Sequence, residues 1–403
     1  MWSNGHVSGS ERLRLIFAAL LISWLIFPLG QTHTVAQDGL AYVAAGRLAT
    51  SHPGAVYVHR LTSASWRLDP RFATTACHLA PVGTDCAKRV VPFLSAPAAI
   101  PIVVPIARLG GSGGALAMRY IAVGALVAGL WWLWRRRDRD TPGIDAAFVV
   151  VAFLMIPFAY EMSIAGQTSS LLLLAASLGL PMAEEHGKTW VSAITLALVS
   201  AFKVIPAAML LVAALRRRWR LVLITIGALV ALSIAGVLMA PGVVGGFIRQ
   251  TSPTTTTQVA NTANASIDAA LRSINHTWGA MSPLFEASVA LRGLIVLALG
   301  FLVMRAGDDD LLWAFGWVAI LVVDPIVWWH YLGVLVPLAA VLSRRMKAAW
   351  ILPVAALPLA LSQLINGRND TLIVSGSVLI ATAFAVWQAR RRQGITAETA
   401  RIP

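Results

Sequence analysis

Long apolar blocks recur from one end of the chain to the other, at 13–29, 115–134, 146–160, 168–180, 190–201, 206–215, 219–240, 288–305, 311–328, 331–343, 348–361 and 372–388. A bilayer core is crossed by about 20 apolar residues in helical form. The pattern therefore predicts an all-α polytopic membrane protein. Basic clusters follow or separate the blocks: Arg12 and Arg14, RRRDR at 135–139, RRRWR at 216–220, RRMK at 344–347 and RRR at 390–392. Lys and Arg flanking membrane helices mark cytoplasmic loops. Placing every cluster inside gives about twelve membrane segments with both termini in the cytoplasm. The first block ends at Gly30-Gln31-Thr32-His33 without a small-x-small cleavage site, and reads as an uncleaved signal anchor.

Under that topology 31–114, 161–167, 202–205, 241–287, 329–330 and 362–371 face outward, and the inward segments are short and mostly basic. The whole chain, 1–403, forms a single membrane domain. Residues 31–114 are its first outer loop and 241–287 an outer flap, rich in Ser, Thr and Asn before it turns helical at SIDAALRSI. Several blocks are too short to span alone and meet at polar tips: Glu161 to Gln167, Phe202 to Pro206, and Trp329-His330. Non-helical backbone at membrane depth is tolerated where it lines a cavity or is buried in protein. Gln167, Lys203 and His330 are therefore expected around one outward-opening cavity. The stretch 92–108 carries Pro92, Pro97, Pro101 and Pro105, which predicts a broken or re-entrant segment rather than a regular span.

Composition agrees with this picture. The chain is 58% hydrophobic and 12% charged, against about a quarter charged in soluble domains, and its mean hydropathy is +0.73. The net charge of +14 would suggest nucleic acid in a soluble protein. Here the basic residues sit between membrane blocks and read as topology signals, so no nucleic-acid partner is expected. The only cysteines, Cys77 and Cys86, lie in the first outer loop and read as a disulfide.

Asp38 follows the first block within QDGLAYVAAG. A carboxylate at the water–lipid boundary can act as general base on an acceptor hydroxyl, or simply cap the next helix. Lys203 is flanked by apolar residues and either holds a phosphate or snorkels to the interface. His330 contacts phosphate or sugar, or packs at the interface. Trp328 and Trp329 either sit in the interfacial belt or offer a face to a sugar or prenyl chain. Asp324 stands about one and a half turns before His330, on what reads as the same helix, and either pairs with a cation or serves the site. Asp268 and Arg272 stand four apart on the expected outer helix, at salt-bridge spacing, and form a solvated pair or serve the site. Glu161 is a cap or an acceptor contact. The chain has no phosphate-binding loop, dinucleotide fingerprint, HExxH motif or outer-loop DxD; the DDD at 308–310 falls inside beside Arg305.

In order, the segments QDGLAYVAAGRLATSHPGAVY, VPFLSAPAAIPIVVPI, AGQTSSLLLLAASL, AFKVIPAAMLLVAAL, NASIDAALRSI and DPIVWWHYLGVLVPL resemble the polyprenol-phosphate-sugar-dependent glycosyltransferases of family 87. The resemblance covers nearly the whole chain. It implies the membrane-embedded GT-C fold and an active site on the extracytoplasmic face of the cell membrane. It also implies inverting transfer, without metal or cofactor, of a sugar, with mannose expected, from a polyprenyl-phosphate donor to a glycolipid or glycan acceptor among membrane lipids. Asp38 would be the catalytic base. Lys203, His330, Arg272, Gln167, Asn264 and Ser266 would hold the donor, with Tyr42, Glu161 and Tyr331 as acceptor contacts. The family's His-His pair is half kept, because Tyr331 follows His330, and Ala165 stands where an aromatic usually precedes Gly166-Gln167. The alternative is a transporter or flippase for lipid-linked sugars, since broken helices also mark transporter sites. The long first outer loop and the lack of an internal repeat argue against it.

Overall fold

The structure is a computed structural model that describes residues 8–30, 37–57, 60–61, 66–80, 91–180, 189–250, 264–274, 283–364 and 370–399. The helices are α1 (Gly9–Trp24), α2 (Phe27–Gly30), α3 (Gln37–Ser51), α4 (Pro70–Leu79), α5 (Ile100–Ala107), α6 (Gly110–Arg135), α7 (Ile144–Leu154), α8 (Ile156–Ala165) and α9 (Ser170–Leu178). They continue with α10 (Thr189–Phe202), α11 (Met209–Leu215), α12 (Trp219–Met239), α13 (Ile267–Ile274), α14 (Pro283–Arg305), α15 (Asp309–Val323), α16 (Leu335–Met346), α17 (Ile351–Leu364) and α18 (Asp370–Thr399). The described strands, β1 (Arg60–Leu61) and β2 (Trp66–Arg67), form one small antiparallel ladder with Arg60 opposite Arg67.

Helix boundaries follow local chemistry. Ser8 and Glu11 form a capping box at the start of α1: the Ser8 hydroxyl accepts from the Glu11 N–H, and the Ser8 N–H donates to the Glu11 carboxylate at 2.8 Å. Asp308 caps α15 by accepting from the Leu311 N–H at 3.1 Å. Five stretches are long and apolar enough to cross a membrane: Gly9–Gly30, Gly110–Arg135, Trp219–Met239, Phe285–Arg305 and Thr371–Arg391. The pair α7–α8, bent by 43°, makes a sixth if taken as one span. The chain is thus a multi-pass, helical membrane protein.

The breaks differ in detail from the sequence expectation. The block 146–160 was expected to end at Glu161. The helix instead bends at Met155, next to Pro157, which cannot donate to the preceding turn, and then runs on through Glu161 to Ala165. The tip at Lys203 is broken as expected: α10 ends at Phe202 and a 3-10 turn covers Ile205–Ala208. The proline-rich stretch yields an irregular lead, a 3-10 turn over Pro97–Ala99 and only the short α5. Asp324 does not share a helix with His330. It caps the C-terminus of α15, an extended segment follows, and a 3-10 helix covers Trp329–Val334.

Ion pairs gather the basic clusters at one end of the bundle. Asp145 pairs with Arg14 at 3.4 Å and with Arg137 at 2.5 Å. Lys347 pairs with Asp138, and Arg216 with Asp309. Arg344 meets Asp310 at 2.5 Å and Arg345 meets Asp308 at 2.8 Å. Asp145 lies in the first turn of α7, so α7 and α8 lead away from this end to Gly166 and Gln167.

Helix α3 lies outside the five long spans yet is buried, with Val43, Ala44 and Ala45 fully covered. It packs on α4, α5, α6 and α8. The approach to α5 is so close that a Cβ on Gly46 would stand 2.5 Å from the Val103 carbonyl oxygen. A second interior polar contact ties the far side together. Asp268 of α13, fully buried, is paired with Arg292 of α14 at 2.5 Å, and Arg292 also donates to the Val322 carbonyl at 3.0 Å. The solvated character expected for Asp268 is therefore corrected.

Leaving a buried charge without its partner costs about 3–5 kcal/mol. Arg292→Met in the full chain is expected to lower the thermal unfolding midpoint in nanodiscs clearly, and the double change Asp268→Leu with Arg292→Met to recover most of it. An unchanged midpoint for Arg292→Met would contradict the role given to this pair.

Candidate functional site

The site forms where α3 begins, α8 ends and α10 breaks. Gly166 ends α8 in the left-handed conformation, φ +64°, with its N–H bonded to the Met162 carbonyl at 3.0 Å. A Cβ there would stand 3.2 Å from the Cα of Gly39. A glycine therefore serves both the turn and the close approach of the two backbones. That approach delivers Gln167 to Asp38: its Nε2 donates to Asp38 Oδ2 at 2.7 Å. Asp38 lies within the first turn of α3 rather than at its cap, where the helix dipole favours a carboxylate.

Lys203 follows the last residue of α10 and lies within electrostatic range of both Asp38 and Asp324. Its ammonium also stands 5.3 Å from the centre of the Tyr331 ring. His330 feels the same lysine and lies almost parallel to Trp328, with ring centres 6.3 Å apart. Trp329 packs edge-on to Phe158 at 5.7 Å. Both tryptophans therefore serve the packing around the imidazole. Glu161, one turn before the end of α8, acts on Asp38 through its charge.

Burial holds the Asp38 carboxyl above the usual carboxylate range, at about 6, with Lys203 pulling it down and Glu161 pushing it up. A carboxyl tuned to that value is ionised at neutral pH and remains basic enough to take a proton.

The floor of the site is aromatic. Tyr42 packs edge-on to Phe202 at 5.4 Å and to Phe93 at 5.9 Å, and its hydroxyl shares a hydrogen bond of 3.0 Å with Thr168. Tyr57 donates to the Ser95 carbonyl at 2.5 Å, and the Ala96 N–H bonds the Ala201 carbonyl at 3.2 Å. The proline-rich lead thus fixes the end of α10 against α3. Three buried polar atoms here, Gln167 Oε1, His330 Nε2 and Asp324 Oδ2, have no hydrogen-bond partner among the described residues. Such atoms are costly to bury and mark a place where a polar ligand can bond.

The other expected donor contacts lie on and around α13. Asn264 donates to the Pro325 carbonyl at 2.8 Å, and its side-chain oxygen accepts from the N–H groups of Ser266 and Val327. Ser266 caps α13 by accepting from the Ala269 N–H at 3.2 Å. These two residues hold the extended segment after Asp324 against α13, one step back from the cluster around Lys203. Arg272 lies in the last turn of α13. Cys77 is disulfide-bonded, and Cys86, the other cysteine of the chain, lies outside the described residues, as do 251–263 and 275–282 of the flap. Sequence reasoning passed over Arg292 and Thr168. An arginine inside the apolar block 288–305 was the available signal for the first; Thr168 carried none. Among the described residues no group of three or more His, Cys, Asp or Glu is placed to hold a metal ion.

Fold and site together describe a multi-pass helical membrane protein in which an acid, an amide and a lysine from separate segments come together. Residues 93–328 match glycosyltransferase family 87, more than half of the chain, and the chain belongs to that family. It is therefore a membrane glycosyltransferase. The matched stretch contains Glu161, Gln167, Lys203, Asn264, Ser266 and Arg272, while Asp38, Tyr42, His330 and Tyr331 fall outside it. No curated protein and no solved structure matches the chain.

Removing the Gln167 amide takes a hydrogen bond from the ionised form of Asp38. A bond of that kind is worth about 1.5–3 kcal/mol, so Gln167→Leu is expected to move the acid limb of the transfer rate upward from near pH 6 by about one unit or more. A pH profile of glycosyl transfer checks this; an unmoved limb would dissociate Gln167 from the base.

Proposed function

We propose that this chain transfers a sugar, mannose in our reading, from a polyprenyl-phosphate donor to a glycolipid or glycan acceptor on the extracytoplasmic face of the cell membrane, with inversion and without a metal. The observation that carries the proposal is the convergence of Asp38, Gln167, Lys203 and His330 from four separate segments of the chain.

In this reading Asp38 takes the proton of the acceptor hydroxyl as that oxygen attacks the anomeric carbon. The bond from that carbon to the phosphate oxygen breaks, and its electron pair leaves with the prenyl phosphate. A phosphate is a good leaving group and needs a cation rather than an acid, which Lys203 supplies. The charges of Asp38 and Asp324, both within electrostatic range, favour an ammonium at this place. His330 Nε2 and Gln167 Oε1, buried and unpartnered among the described residues, would bond sugar hydroxyls. Holding donor and acceptor in one orientation contributes much of the acceleration.

The sidedness follows from the ion-paired end of the bundle. It gathers Arg14, Arg137, Arg216, Arg344, Arg345 and Lys347, and the positive-inside rule puts it in the cytoplasm. The site at Gly166-Gln167 lies at the opposite end of α7–α8, which supports an outward-facing site. A path of about twelve segments with both termini inside fits that placement.

Asp38→Asn keeps the shape and removes the base. In membranes supplied with radiolabelled polyprenyl-phosphate mannose it is expected to lose transfer by about 10²–10⁴-fold, the usual share of general-base catalysis, at normal protein levels. Full activity would remove Asp38 from the mechanism. Label crossing vesicles without forming a new glycosidic bond would instead favour a transporter.

A further inference from the structure

A cleft lies at the other end of α3. It encloses about 510 Å³ between the last turns of α3 and the outer face of α4. Its walls include Arg47, Ser51, His52, Arg71, Thr74 and His78, and no carboxylate lines it. Neither Arg47 nor Arg71 forms an ion pair among the described residues. The nearest acid by position, Asp69, is committed to capping α4, where it accepts from the Arg71 N–H at 2.8 Å.

The cleft is a built feature of the fold. Phe72, Ala76 and Leu79 bury one side of α4, which turns Arg71, Thr74 and His78 outward. The disulfide at Cys77, next to His78, ties that helix covalently. Two guanidiniums with several hydroxyl and imidazole donors around an open cavity make a receptor for an anion such as phosphate.

We propose that this cleft binds the anionic headgroup of the acceptor lipid and so orients the acceptor toward Asp38. This deepens the transfer reading above and rests on it. Geometry decides between the two lipid substrates. Along α3, Arg47 lies about 13 Å from Asp38, at about 1.5 Å per residue. The donor phosphate is bonded to the carbon under attack, so it must sit within reach of the base and cannot be the anion held here. An acceptor's anion can be separated from its reacting hydroxyl by intervening sugar rings, and that separation suits the cleft. The single rigid helix α3 then acts as a ruler between headgroup and reaction centre.

The test uses the full chain in nanodiscs of phosphatidylcholine with a minor share of phosphatidylglycerol as the anionic probe, with retained lipid read by native mass spectrometry. The unmodified protein is expected to retain phosphatidylglycerol over phosphatidylcholine. Arg47→Ala with Arg71→Ala is expected to lower that selectivity several-fold, and Arg47→Lys with Arg71→Lys to keep most of it. Arg390→Ala with Arg391→Ala, at a different basic cluster, is expected to leave it unchanged. Equal retention in the Arg47/Arg71 alanine pair, or equal loss in the Arg390/Arg391 pair, would overturn the proposal. So would inorganic phosphate binding that depends on Arg47 and Arg71 without any lipid selectivity, since the anion would then be a soluble one. In transfer assays the alanine pair is expected to raise the acceptor KM about tenfold with kcat kept. Asp38→Asn should bind phosphatidylglycerol normally while losing transfer. Normal transfer in that variant would sink the catalytic reading and leave the cleft standing.

Discussion

The organising constraint is a carboxylate and an ammonium kept together where water is scarce. Asp38 and Lys203 would each be costly to bury alone. They are tolerated because Gln167 bonds the carboxylate and because the charges of Asp38 and Asp324 both act on the lysine. Much of the surrounding architecture fixes those few atoms. Gly166 and Gly39 bring α8 against α3. Tyr42 and Phe93 wedge α3 against the end of α10. Asn264 and Ser266 set the extended segment behind Asp324. Changes at these supporting positions act through the placement of Asp38 and Lys203.

Short, broken helices are what allow this arrangement inside a membrane protein. A continuous span satisfies its own backbone and presents side chains to lipid or to its neighbours. Where α10 stops at Phe202 and α15 stops at Asp324, the chain ends in polar tips that face protein rather than lipid. The opposite end is held by a different physics: six ion pairs there bind loops from distant parts of the sequence. Such pairs contribute modest stability where exposed. Their greater consequence is to hold the helix bundle in register at one end.

Much of this was legible in the sequence. Blocks too short to span announced the tips at Gln167, Lys203 and His330, because helix length and bilayer thickness are fixed quantities. The acid after the first block was found by its position alone. Other parts were not legible, for a physical reason. Which partner Asp268 would take depends on how α13 and α14 pack, and i,i+4 spacing pointed to Arg272 instead of Arg292. The kink at Met155 came before the polar stretch that seemed to mark it, because Pro157 acts on the turn before it and the helix then continues through Glu161. Asn264 and Ser266 bear types suited to sugar binding, yet their donors and acceptors meet backbone.

A structure of the full chain in nanodiscs with a non-transferable polyprenyl-phosphate sugar bound bears most directly on the central claim. The account expects a phosphate oxygen within hydrogen-bond reach of Lys203 Nζ and the anomeric carbon facing Asp38, with the prenyl tail leaving toward the lipid. A donor phosphate seated at the ion-paired end, beside Arg216 or Arg344, would contradict it.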